Sequence, residues 1–155
     1  MPDCFISYTS KDRKLATFVF NTLKANGLDP FLAAVSIRAG ADWSGEIRDA
    51  MQSTRWVIFL ASKAACKSDF VQQEVGAAYF GGKTVVPVVW DMSPSDLPGW
   101  TKRAQALDFR GATRSQIAGR IQGLAKEIRG SRGSGLLIAA AIIGGLVWLA
   151  GRSDS

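Results

Sequence analysis

Short apolar runs alternate with helical patterns along the first 129 residues, and this alternation constrains the fold more than any other feature. Asp3–Ser7, Leu28–Ala33, Trp56–Ala61 and Thr84–Trp90 read as strands. The last two are continuous apolar stretches, as strands covered on both faces should be. Lys11–Asn26 has helical spacing, with Leu15, Phe18, Val19, Thr22 and Leu23 on one face and Gly27 as a stop. Asp42 suits the N-cap of a helix over Trp43–Ser53 that turns Trp43, Ile47, Ala50 and Met51 inward. Asp69–Phe80 is helical, and Thr113–Arg129 is a last helix with Ile117, Ile121, Leu124 and Ile128 aligned. Ala106–Phe109, after the Pro-rich turn Ser93–Gly99, suits an edge strand. Strands alternating with helices imply an α/β fold, a flavodoxin-like open parallel sheet of about five strands with helices on both faces.

Charge divides the chain unevenly. Residues 1–101 carry ten basic and ten acidic side chains, whereas 102–132 carry eight basic side chains against Asp108 and Glu127, which accounts for the net +6. The basic block abuts Gly135–Gly151, seventeen residues without a charge. As a helix that stretch would reach about 25 Å, the short end of a bilayer span. A buried globular helix is the alternative, and the missing polar face counts against a helix at the surface of a small domain. Arg129 and Arg132 on its near side and Trp148 at its far end suit a single-pass membrane helix with the preceding domain in the cytoplasm. Lipid headgroups are then the expected partner of the basic block, and nucleic acid is not. The organisation read from the sequence is a domain at 1–129, a linker at 130–134, a membrane helix at 135–151 and a short tail at 152–155. Ala140/Gly144 and Ala141/Gly145 form small-xxx-small pairs that suit close helix–helix approach in lipid.

The chain has no histidine, which removes Ser-His-Asp and Cys-His nucleophilic catalysis and leaves no basis for expecting a metal site. Cys4 and Cys66 have no metal-ligand or CxxC spacing and read as reduced thiols. Any catalysis must rest on a carboxylate. Residues 77–84, AAYFGGKT, match a permissive phosphate-loop pattern. A true phosphate loop follows a strand and opens a helix, whereas here helix, Gly-Gly turn and strand follow one another, so nucleotide triphosphate binding is not expected.

Five motifs occur in a recognisable order. Asp3-Cys4-Phe5-Ile6-Ser7-Tyr8 precedes Ser10-Lys11-Asp12, and Gly40-Ala41-Asp42-Trp43 leads to Glu46-Ile47, Ala50 and Ser53. Ser68-Asp69-Phe70 with Glu74-Val75, then Val86-Pro87-Val88, then Ser95-Asp96-Leu97-Pro98 complete the set. Over about residues 3–129 this pattern resembles the Toll/interleukin receptor (TIR) domain family, in its bacterial form. The resemblance implies that Glu46 is the catalytic carboxylate of an NAD-cleaving enzyme, an NAD nucleosidase, with NAD as substrate and no separate cofactor.

That chemistry suits a single carboxylate. Nicotinamide is already a cationic pyridinium in NAD and leaves neutral, so the general acid of ordinary glycoside cleavage is not needed. A lone anion can stabilise the charge developing at the anomeric carbon and position an acceptor. Glu46 has Asp42, Asp49 and Ala50 as helical neighbours and no cation among them. Trp43, three residues earlier, shares its side of the helix and offers a ring for stacking. By the same resemblance Tyr8, Thr9, Ser10, Phe31, Leu32 and Arg38 would line the substrate site. The family often keeps an acidic residue after the second strand, where this chain has Ala33-Ala34.

The resemblance also implies homo-oligomers formed through TIR–TIR contacts, in which the loop Val35–Ala41 of one copy completes the site of another. A membrane-tethered NAD-cleaving effector, in a setting such as bacterial antiphage defence, is one reading. A non-enzymatic adaptor and a membrane-perturbing effector with a TIR sensing domain are the others. Hydrolysis, cyclisation and base exchange all fit one scaffold and one Glu.

Overall fold

The computed structural model describes residues 2–34, 45–99 and 105–131, without the side chains of 33, 34, 45–48, 70, 71 and 74. Five parallel strands form one sheet: β1 (Cys4–Tyr8), β2 (Pro30–Ala34), β3 (Trp56–Leu60), β4 (Thr84–Val89) and β5 (Leu107–Asp108), in the order β2-β1-β3-β4-β5. The helices are α1 (Arg13–Ala25), α2 (Gly45–Ser53), α3 (Lys63–Cys66), α4 (Asp69–Phe80) and α5 (Arg114–Gly130). This is the flavodoxin-like order, as the alternation of strands and helices predicts.

Side-chain alternation along the strands divides the core in two. Cys4, Ile6, Trp56, Ile58, Leu60, Val86 and Val88 face α1 and α5, where Val19, Leu23, Ile121, Leu124 and Ile128 meet them. Phe5, Val57, Phe59, Val85 and Val89 face the other way, against Ala50 and Met51 of α2 and Val75 and Ala78 of α4. The register aligns Leu32, Ile6, Ile58 and Val86 across four strands, so each of these apolar rows continues from strand to strand. Burying such side chains on both faces is the dominant favourable contribution, roughly 1.5–3 kcal/mol for each large one.

Some boundaries differ from the sequence reading for local reasons. The first helix does not start at Lys11: Ser10–Asp12 form a 3-10 turn, with Asp12 N–H donating to Thr9 O at 2.9 Å, and α1 begins at Arg13. The predicted edge strand Ala106–Phe109 narrows to Leu107–Asp108. β2 starts only at Pro30, after Gly27 turns the chain at φ +84°. The short helix α3 has no counterpart in the sequence reading. Residues 43 and 44 of the predicted helix Trp43–Ser53 and the whole apolar stretch Gly135–Gly151 lie outside the described residues. Among the described residues no helix is long and apolar enough to cross a membrane.

Candidate functional site

The chain leaves β1 toward β2 and then crosses back to β3, so the direction of winding reverses between β1 and β3. Open parallel sheets leave a crevice at the carboxyl ends of the strands flanking such a reversal, and ligands bind there. Here those ends carry Tyr8-Thr9 and Leu60-Ala61-Ser62.

A polar cluster fills the seam. Thr9, fully buried, donates its hydroxyl to Asp12 Oδ2 at 2.8 Å, and Ser62, nearly buried, donates to the same oxygen at 2.7 Å. The Ser62 oxygen in turn accepts the Ala65 N–H at 3.1 Å and caps α3. One carboxylate thus ties the loop after β1 to the loop after β3. Further along, both oxygens of Asp91 accept the Lys63 N–H, at 3.1 and 3.2 Å, where the free amides of a helix start favour an anion. Ser62 and Asp91 lay outside the sequence reading. The signal for Ser62 was a serine placed between an apolar strand and the following helical residues, which is an N-cap pattern.

Of the residues expected to line a substrate site, the structure places Tyr8 in the core on the α1 side and Thr9 beneath the Asp12 carboxylate. Phe31 and Leu32 point to opposite faces: the Phe31 ring stacks on Phe5 at 5.6 Å, while Leu32 packs toward α1. Ser10 is exposed and borders a hollow of about 440 Å³ with Lys11, Asp12, Arg13, Lys14, Leu15 and Trp90. That hollow combines an aromatic ring with three cations, a lining that suits an anionic ligand with a planar group. Arg38 and Trp43 lie outside the described residues.

The backbone of Glu46 is in the first turn of α2. The other end of this helix is held firmly. Lys83 Nζ donates to Gln52 O at 3.1 Å and Thr54 O at 2.6 Å, and the Thr54 hydroxyl donates to Met51 O at 3.2 Å. Thus the lysine of the phosphate-loop look-alike satisfies the carbonyls at the end of α2, and Gly82 (φ +86°) makes the turn into β4. Ala50 and Met51 pack with Phe5 and Val57. Glu46 stands about 6–7 Å further along the helix axis, and Ser7 about 6.6 Å further along β1 from Phe5. Ser7 is fully buried, and its Oγ has no hydrogen-bond partner among the described residues.

Neither thiol suits nucleophilic chemistry. Burial, then Asp3 and Asp29, push Cys4 up to about 12, and burial, then Asp91, push Cys66 up to about 11. A neutral thiol at physiological pH is a poor nucleophile.

A family model described as "TIR domain" matches residues 4–124. The chain is 27% identical over 97 residues to a probable 2' cyclic ADP-D-ribose synthase, BdTIR, of Brachypodium distachyon, a match covering 61% of this chain and 43% of that protein. The chain thus spans less than half the length of that curated relative. The TIR domain of the Toll-related receptor TRR-2 of Hydra magnipapillata superposes with a TM-score of 0.62 at 22% identity, covering 83% of this chain and 99% of that one. The C. gigas TIR-STING receptor in complex with 2',3'-cGAMP gives 0.59 at 18%, covering 81% and 39%. The TIR domains of the activated Roq1 resistosome give 0.51 at 20%, covering 84% of each chain. At these identities the structural likeness is one of fold. No bacterial protein is among these relatives, so the bacterial form of the resemblance gains no support from them.

Proposed function

Because the chain belongs to the TIR domain family, we propose that it cleaves the nicotinamide–ribose bond of NAD, with Glu46 as the catalytic carboxylate. The observation that supports this reading is the Glu46 backbone in the first turn of α2, the helix that leads into β3, one of the two strands flanking the reversal of strand order where such sheets take ligands. The relative named as a cyclic ADP-ribose synthase supports the same class of reaction.

In this reading nicotinamide leaves with the bonding electron pair, and positive charge develops at the ribose C1'. Glu46 faces that charge. An acceptor oxygen then bonds to C1' and gives up its proton: water yields ADP-ribose, and a hydroxyl of the same ADP-ribose yields a cyclic product. Trp43 stacks on the substrate, and Arg38 and Ser10 border it. The hollow beside Ser10, with Trp90 and its three cations, suits the anionic part of a dinucleotide.

Copies assemble through TIR–TIR contacts, with Val35–Ala41 of one closing the site of the next. The uncharged stretch Gly135–Gly151 anchors the protein in a membrane as a single pass, with the TIR domain on the cytoplasmic side. Anchoring concentrates the copies, so weak contacts between them become effectively intramolecular.

The test is incubation of full-length protein in vesicles with NAD, with products separated by chromatography, beside a Glu46→Gln variant. The expected result is release of nicotinamide by the native protein and loss of at least about a hundredfold in the variant, as for removal of a dominant electrostatic group. Undiminished turnover by a folded Glu46→Gln protein would remove Glu46 from the chemistry. No turnover by the assembled native protein would favour an adaptor.

A further inference from the structure

The opposite edge of the sheet, where the strands begin, has a lining of its own. A cavity of about 500 Å³ opens there between the starts of β3 and β4, lined by Gln52–Trp56, Gly81–Thr84 and Ser131. Its lining contains two cations, Arg55 and Lys83, and no carboxylate. Lys83 is committed to the carbonyls at the end of α2, which neutralises the negative end of that helix. The exposed Arg55 guanidinium has no partner among the described residues. Beside the cavity Phe80, the last residue of α4, is 77% exposed and is the only exposed large apolar side chain among the described residues. The exposed Lys126 and Arg129 occupy the end of α5 at the same edge. Glu127 lies between these two cations in the last turn of α5, and Asp3 and Asp29 lie toward the starts of β1 and β2, where Asp3 Oδ2 accepts the Asp29 N–H at 2.6 Å.

The chain also leaves the domain here. Trp56 Nε1 donates to Ser131 Oγ at 3.0 Å, and Ser131 donates to Ile128 O at 2.6 Å, which fixes the last described residue against the start of β3. From Ser131 to Gly135, where the uncharged stretch begins, four residues reach at most about 14 Å. The headgroup layer beyond the hydrocarbon is itself about 5–7 Å deep. The remaining gap is within about one Debye length, so this edge cannot stand clear of the membrane's field.

We propose that the strand-start edge seats on an anionic lipid surface, with Phe80 in the interfacial layer and Arg55 at the cavity taking a phospholipid phosphate. The proposal rests on the membrane part of the function above and not on NAD cleavage. An aromatic ring beside cations is the composition that favours such an interface. It also orients the domain: the seam between β1 and β3 faces away from the bilayer, open to soluble substrate.

The test uses the full chain with a polarity-sensitive dye on Phe80→Cys, and on Ser95→Cys as the control at the far edge. Cys4 is buried and the partly exposed Cys66 is replaced by Ser, so that the introduced thiol takes the dye. On phosphatidylcholine vesicles containing phosphatidylglycerol, the dye at 80 should shift to the blue and be several-fold less accessible to aqueous iodide than the dye at 95. Arg55→Glu should reverse much of that protection, while Arg55→Lys should keep most of it. Equal quenching at both positions in protein that floats with the vesicles would overturn the seating and leave the anchor standing. The same shift produced by inorganic phosphate without vesicles would assign the cavity to a soluble anion and overturn the lipid reading. Protein that fails to float would remove the anchor and the seating together.

Discussion

Asp12 and Ser62, 50 residues apart in sequence, meet at 2.7 Å through a single carboxylate oxygen that also accepts the hydroxyl of Thr9. This contact joins the loops after β1 and β3, the two strands that flank the candidate site. Removing the carboxylate with Asp12→Ala leaves two buried hydroxyls without an acceptor, at a cost of about 2–4 kcal/mol. Ser62→Ala loses the same bond and the cap of α3, at about 1–2 kcal/mol. In the double variant the costs should fall short of additivity by roughly 0.5–2 kcal/mol, measured by urea unfolding. Strict additivity would show that the bond contributes nothing.

Ser7→Ala should not destabilise the domain. The hydroxyl lies fully buried without a partner among the described residues, so its removal relieves a desolvation penalty of about 1 kcal/mol. Thermal unfolding of the variant should occur at the same or a higher temperature. A loss of more than about 1 kcal/mol would mean that Ser7 has a polar partner in the folded protein.

Lys83→Met keeps the aliphatic stem and deletes the ammonium. The carbonyls of Gln52 and Thr54 then lose their donor, and α2 is loosened where it enters β3. Stability should fall by roughly 1.5–3 kcal/mol, the range for bonds to a charged group. Hydrogen exchange over 50–55 should accelerate by more than exchange in α5. Adding ATP should protect neither protein, because this lysine serves a helix end.

Asp108 gives the clearest pH dependence. Burial raises its pKa, but the bonds from Arg110, with Arg120 nearby, outweigh burial and hold it below its ordinary 3.8. A carboxylate with a depressed folded value stabilises the fold fully above the unfolded value and loses that contribution as pH falls through the folded one. Arg110→Ala should therefore be less stable than the native protein at neutral pH by up to about 1 kcal/mol, since the pair is partly exposed. The difference should fade below pH 3.8, once Asp108 is protonated in both states. A difference that grew toward acid pH would contradict the assignment.

The inner strands β1, β3 and β4 were legible because each is buried on both faces and reads as an apolar run. The helix faces of α1 and α5 were legible from the spacing of Val19 and Leu23, and of Ile121, Leu124 and Ile128. Lys63–Cys66 was not, because four residues contain barely one helical turn and therefore show no period. The site was legible only in part. The positions of Tyr8 and Thr9 at a strand end could be read from the sequence. The use of the Thr9 hydroxyl could not, since its partner Asp12 is shared with a serine from another strand's loop. The helix–turn–strand order around Gly-Gly-Lys-Thr argued against a phosphate loop, but the bonds of Lys83 to the Gln52 and Thr54 carbonyls, about thirty residues earlier in the chain, could not be read from local sequence. Trp43 and Arg38 lie outside the described residues, so their expected roles rest on the resemblance.

The pairing of β1 with β3 has a kinetic consequence. Phe5 pairs with Val57 and Ile6 with Ile58, across some 52 residues, whereas β1 and β2, or β3 and β4, pair across 26 to 28. Closing the longest loop costs the most chain entropy before any contact compensates it, so this seam is the slowest to zip during folding. The candidate site lies on that seam. A copy with β1–β2 and β3–β4 already joined, but not yet to each other, would hold most of its secondary structure and no binding site at all. By this topological argument the candidate site is among the last parts of the fold to be completed.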